Sequence, residues 1–196
     1  MISPEANPIR LAALFYLLAF LSATPLAAAE RDPFIVERAD FTLHQRLLHL
    51  DLIVDAEVPD YIAMAIDKGF AVPFMFEVEI RSRKEYWFDE KIVSLKQQYL
   101  MHYLPMLGSF SLLDVNSGER QYFDSRIAAV RYIEVVYNYP MLDIDNLASG
   151  KNYYARVRFG IDTDELPLPL KSSSLWNNDW DLRSDWYEWE IHRPES

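Results

Sequence analysis

From residue 76 to residue 81 the chain alternates, and Phe74 and Arg83 extend the pattern on either side. Phe74, Phe76, Val78 and Ile80 fall on one side, and Glu77, Glu79, Arg81 and Arg83 on the other. A period of two is the signature of a β-strand with one face in the core and one outside. The pattern recurs. Residues 48–55 set Leu48, Leu50, Leu52 and Val54 against His49, Asp51 and Asp55. Residues 152–162 set Tyr153, Ala155, Val157, Phe159 and Ile161 against Tyr154, Arg156, Arg158 and Asp162. Residues 34–46 and 91–104 read as further strands, and 109–115 and 119–123 flank the turn sequence Asn116-Ser117-Gly118. Two segments break the rhythm. Residues 59–68 open on a proline suited to a helix's first turn and end at Gly69. Residues 125–137 are capped by Asp124 or Ser125, carry Ile127, Val130, Ile133 and Tyr137 as a stripe, and meet Tyr139-Pro140. The expected order is strand, strand, helix, four strands, helix, strand. Connections this short exclude a doubly wound parallel sheet. The fold class expected is α+β: a mainly antiparallel sheet or sandwich-like core with two short helices, in a single domain.

Residues 1–29 stand apart from this pattern. Arg10 precedes an apolar run over 11–21, followed by Pro25 and by Ala27-Ala28-Ala29. A basic start, an apolar stretch and an A-x-A site form a cleavable export signal. The run is about half the roughly 20 residues that a membrane-spanning helix needs. Cleavage is expected after Ala29, leaving 30–196 as one α+β domain in the periplasm. With no cysteine, the chain has no site for a lipid anchor of the lipoprotein type.

Composition narrows the function classes. Zero cysteine removes disulfides, zinc ribbons, iron–sulfur clusters and thiol catalysis. A net charge of −11 argues against nucleic acid and against anionic headgroups, so neither is expected as a partner. No Gly-rich phosphate loop and no G-x-S-x-G occurs, and no cofactor is expected. His44, His49, His102 and His192 form no i, i+4 pair. His44 and His49, five apart, would face opposite ways if one strand held both, so no metal site is expected. Residues 143–146 begin like a calcium loop, but Leu147 and Tyr154 occupy ligand positions. The acids of 162–165 read as a solvated turn.

The C-terminal stretch is the oddest part. Trp176, Trp180, Trp186 and Trp189 are four of the five tryptophans, interleaved with Asp179, Asp181, Asp185, Glu188 and Glu190. A strap that closes the sheet's core is one reading, and an aromatic ledge for a glycan or a partner protein is the other. A loop followed by a short final strand is expected. Residues 166–170, Leu-Pro-Leu-Pro-Leu, predict an extended crossing between layers.

Taken in order, these segments resemble the domain of unknown function 4390 family of exported proteobacterial proteins. The resemblance rests on residues 76–83 followed by Trp87 and Asp89, on Tyr99 with Tyr103-Leu104, on 154–158, on 166–170 and on the stretch from Trp180 to Trp189. It implies a periplasmic single-domain protein without an assigned activity. It also implies a gene neighbourhood shared with a membrane sensor kinase of the nitrogen-regulation type. No catalytic residue is implied.

The residues therefore favour a non-enzymatic binding module whose partner is the outer part of an envelope or inner-membrane protein. Arg81, Arg83, Trp87, Trp176 and Trp180 are the candidate contact surface. The alternatives are a small hydrolase of an envelope polymer, which needs two carboxylates in a cleft beside aromatics, and a glycan-binding β domain.

Overall fold

A computed structural model describes residues 31–84, 88–172 and 180–191. The alternating segment at the chain's middle becomes β3 (Val72–Ser82), an inner strand of a six-stranded sheet. Its neighbours are β4 (Glu90–Leu104) and β8 (Tyr153–Ile161). Beyond β4 come β5 (Ser109–Asp114) and β6 (Arg120–Phe123), and beyond β8 comes β9 (Tyr187–Ile191). A second sheet orders β1 (Phe34–His44), β2 (Leu47–Ala56) and β7 (Val135–Asp143). Every strand pairing among the described residues is antiparallel.

The two sheets share one apolar interior. Phe74, Phe76, Val78 and Ile80 are fully buried, as the alternation requires. Phe34 of β1 reaches across, its ring 5.3 Å from Phe159 and 6.4 Å from Phe74. Phe76 meets Tyr139 edge-on at 5.4 Å, and Phe41 meets Trp189 at 5.1 Å. Edge-to-face rings are the favoured aromatic contact. This is the expected α+β architecture in its sandwich-like form.

Three short α-helices occur among the described residues, where two were expected. α1 (Asp60–Asp67) buries Ile62, Ala63, Ala65 and Ile66. It ends where Gly69 adopts a positive φ. α2 (Arg126–Ile133) is capped by Ser125, whose Oγ accepts from the Ala128 amide at 3.1 Å. It is shorter than the expected helix over 125–137. Its last residues belong instead to β7, which fills the open edge of β2 through Leu52 opposite Val136 and Leu50 opposite Tyr139. Val135, Val136 and Tyr137 are β-branched or aromatic, and strand pairing overrides a helical spacing that they share by coincidence. Ile127 and Tyr137 are accordingly exposed rather than aligned on a buried stripe.

The third helix, α3 (Leu168–Ser172), corrects the extended reading of the alternating prolines. Pro167 and Pro169 sit at the start of the turn, where a missing amide costs nothing. The Pro167 carbonyl accepts from the amides of Leu170 and Lys171. Leu166 and Leu170 are buried, while Leu168 points out. The acids before it are not all solvated either. Asp162 is buried and accepts from Lys96 Nζ at 2.5 Å and from Gln98 Nε2 at 3.0 Å.

The C-terminal stretch closes the sandwich. Trp180 is only 2% exposed, edge-on to Tyr61 at 5.7 Å. Residues 182–184 then run against β8: Ile161 N donates to Leu182 O, and Ser184 N donates to Phe159 O. This approach needs Gly160. A Cβ there would lie 2.4 Å from the Leu182 carbonyl oxygen. The expected final strand forms as β9, with Tyr187, Trp189 and Ile191 turned inward and Glu188 and Glu190 exposed.

Two outcomes follow from this closure. Trp180→Ala is expected to cost about 3–5 kcal/mol in urea unfolding. Trp180→Phe costs clearly less, because it also removes a buried indole N–H that has no hydrogen-bond partner. Gly160→Ala is expected to cost about 1–3 kcal/mol, since backbone rather than a flexible side chain must yield. Unchanged urea midpoints in both Trp180→Ala and Gly160→Ala would contradict the strap.

Candidate functional site

The outward face of the six-stranded sheet gathers the charges that the alternation pushed out. β3 and β8 run antiparallel with Glu77 opposite Arg158, Glu79 opposite Arg156 and Arg81 opposite Tyr154. Opposite charges thus meet rung by rung, which favours this register over any slipped one. Arg158 donates from Nε and Nη2 to Glu77 Oε2, at 3.0 and 2.6 Å.

Glu79 is the hub. It is only 4% exposed. Its Oε2 accepts from Arg81 Nη1 at 2.9 Å and from Arg156 Nε at 2.8 Å, and Lys91 Nζ lies 3.2 Å from Oε1. Burial pushes the Glu79 carboxyl up, but the three cationic donors together outweigh it and hold it below its usual 4.5. Cross-strand charge pairing here is therefore buried rather than solvated. One carboxylate sits under three cations that each reach water.

Aromatic rings fix the cations from outside. Trp186 lies against two guanidinium groups, Arg156 at 4.1 Å and Arg158 at 4.4 Å from the ring centre. Arg83 stacks on Tyr154 at 4.8 Å and pairs with Glu190 at 2.7 Å. The Tyr154 hydroxyl donates to Asp89 Oδ2 at 2.9 Å, and Arg81 Nη2 donates to the Asp89 carbonyl at 3.0 Å. Burial and the Asp89 hydrogen bond raise the Tyr154 phenol, and the same bond lowers Asp89.

Of the residues singled out in the sequence, Arg81 and Arg83 belong to this platform. Arg81 is largely covered and committed to Glu79, while Arg83 stays more than half exposed. Trp180 is in the core on the far side of the sheet and is no surface residue. Trp87 and Trp176 lie outside the described residues, as does the expected signal over 1–29. The partners missed were Arg156, Arg158 and Trp186. The signal for the first two was present, because the order Glu-x-Glu on one strand and Arg-x-Arg on the other is what antiparallel pairing demands. Trp186 carried only the general signal of the aromatic ledge, which it shared with three other tryptophans.

A second feature is an open cleft of about 490 Å³ between the β4–β5 turn and the start of α2. Asp67, Asp124, Tyr103 and Phe110 line it, with the two rings 5.0 Å apart. Asp67 is engaged by Arg126, whose Nη1 lies 2.5 Å from Oδ2. Among the described residues no group of three or more His, Cys, Asp or Glu is placed to hold a metal ion.

The hub has a consequence for stability against pH. A carboxyl lowered in the folded state stabilises fully above its ordinary value of 4.5, and that contribution is lost as pH falls through the lowered value. Glu79→Gln is expected to cost about 2–3 kcal/mol at neutral pH, because three cations lose their counter-charge while still reaching water. Acid titration of the variant should also show a shallower loss of stability below pH 4.5 than the parent. An identical acid limb in both proteins would show that the hub does not work in this way.

The platform and the sandwich behind it span most of the chain, and so does the comparison with known families. The family model described as Domain of unknown function (DUF4390) matches residues 31–190. No curated protein and no solved structure matches. The match takes in β1 through most of β9, including both sheets and the whole Glu79 platform, and the chain belongs to the DUF4390 family.

Proposed function

We propose that the protein is an exported, non-catalytic interaction module of the cell envelope, and that its partner docks an acidic patch on the platform around Arg83. The observation that carries this reading is preorganisation. Arg81, Arg83, Arg156 and Arg158 are each held by a carboxylate, and three of them also by a ring. Side chains ordered in advance lose little entropy on binding. Arginine and tryptophan are also the residues that carry most energy at interfaces. The chain as a whole carries a net charge of −11, so a face with four arginines contrasts with it and favours one orientation of approach.

The periplasm is the proposed location, on the export signal in 1–29. The outer part of a membrane sensor kinase is the proposed partner, on the family's gene neighbourhood. For location, mass spectrometry of the protein from the periplasmic fraction is expected to find a chain beginning at Glu30. A chain retained inside the cell with residues 1–29 attached would refute export. For the partner, a photo-crosslinking residue in place of Glu188, exposed on β9 opposite Arg156, is expected to capture the kinase. The same residue in place of Asp55, on the other sheet, is expected not to capture it. Arg83→Glu should abolish the crosslink while moving stability by about 1 kcal/mol or less, since its pair with Glu190 is exposed. Equal capture from both positions would overturn the platform.

One observation favours a second reading, a saccharide site. The cleft sets two carboxylates beside two aromatic rings. Binding of an envelope oligosaccharide that is lost in Tyr103→Ala and kept in Arg83→Glu would move the function to the cleft.

A further inference from the structure

The hairpin of β1 and β2 brings together two residues that the linear spacing appeared to separate. Its loop is only Gln45 and Arg46, with φ of 47° and 75°. Two consecutive left-handed residues form the tight turn that continues an antiparallel ladder without splaying it. The ladder therefore sets Thr42 opposite His49 and His44 opposite Leu47. His44, Thr42 and His49 share the outward face, since Leu48 and Leu50 take the inward one. The spacing of five residues places the histidines on one face because a turn lies between them.

The imidazole rings stand 5.4 Å apart, centre to centre, at 61°. Two histidines bound to one ion at about 2.0–2.1 Å, with a near-tetrahedral angle between them, put their ring centres roughly 5 Å apart. His44 is exposed, so one side of the pair is open to solvent. His49 Nδ1 is buried and has no hydrogen-bond partner. Thr42 Oγ1, on the residue directly opposite, is also buried and unpartnered. Buried polar atoms are nearly always satisfied, and two orphans on one rung mark a place where an ion or its water belongs. The next rung on the same face pairs Asp40 with Asp51. Like charges directly opposite are unfavourable alone, and a cation beside them relieves that cost. The nearest turn cation, Arg46, is paired with Asp145.

We propose that His44 and His49 bind one divalent transition-metal ion of the borderline class, Zn²⁺ or Cu²⁺. Imidazole nitrogen selects these ions over Mg²⁺ and Ca²⁺. Two protein ligands leave the remaining positions to water, so the site is open and exchangeable rather than a closed structural one.

The test uses tag-free protein purified from the periplasm, since an added histidine tag would bind the same ions. Calorimetric titration with Zn²⁺ and with Cu²⁺ is expected to give one ion per chain, and titration with Ca²⁺ none. His44→Ala and His49→Ala should each weaken binding by more than about tenfold, which is the least that even an outer partner of a metal site costs. His102→Ala, on the other sheet, should bind as the parent does. His44 is exposed, so its variant should keep the parent's thermal midpoint, and loss of binding there is loss of a ligand and not of the fold. Absence of binding by the parent, or binding that survives both His44→Ala and His49→Ala, would overturn the proposal and leave the pair as ring packing.

Discussion

β3 carries the structure because both of its faces are occupied. Inside, Phe74, Phe76, Val78 and Ile80 supply the floor on which the second sheet rests. Outside, Glu79 is sealed beneath cations from β3, β4 and β8. Central strands buried on both sides normally read as continuous apolar runs. This one keeps a charged outer face, and it does so by burying the charge only where opposite charges cross-brace the neighbouring strands. The strand therefore binds its neighbours twice, through the backbone ladder and through the carboxylate hub. A chain without cysteine gains from that, since no covalent link holds its sheets.

How far the sequence foretold this depends on whether a signal was local. Alternation in β2, β3 and β8 fixed which residues face inward, because the pleat allows no other answer once the strand exists. The helix 125–137 failed at its C-terminal half. Val130, Ile133 and Tyr137 are spaced as a helix would space them, yet β2 had an unpaired edge and β7 filled it. That edge is a tertiary fact, invisible to a window of a dozen residues. Leu166 to Leu170 failed for a different reason. Alternating prolines were read as a bar to helix, though two of them fit within a first turn.

The site was half legible. Arg81 and Arg83 stand on the outward face that the alternation predicts, Arg81 held by Glu79 of its own strand and Arg83 by Glu190 and Tyr154 of other strands. Trp180, a tryptophan among acids, reads as surface and is core. Nothing in composition separates it from Trp186, which does reach the platform. The difference is the close approach at Gly160, which commits the preceding segment to β8 and delivers Trp186 beyond it onto the outer face.

The same approach governs when the molecule can become itself. Phe34, in the first strand, rests on Phe159, and Phe41 rests on Trp189, in the last. A segment from either end of the fold lacks the surface that the other end buries. A chain emerging in order from a ribosome therefore stays open until residues near 190 are free. Its first two strands can pair with each other, but their apolar face waits for the latest ones. Until then that uncovered face is open to any chaperone that recognises exposed apolar surface.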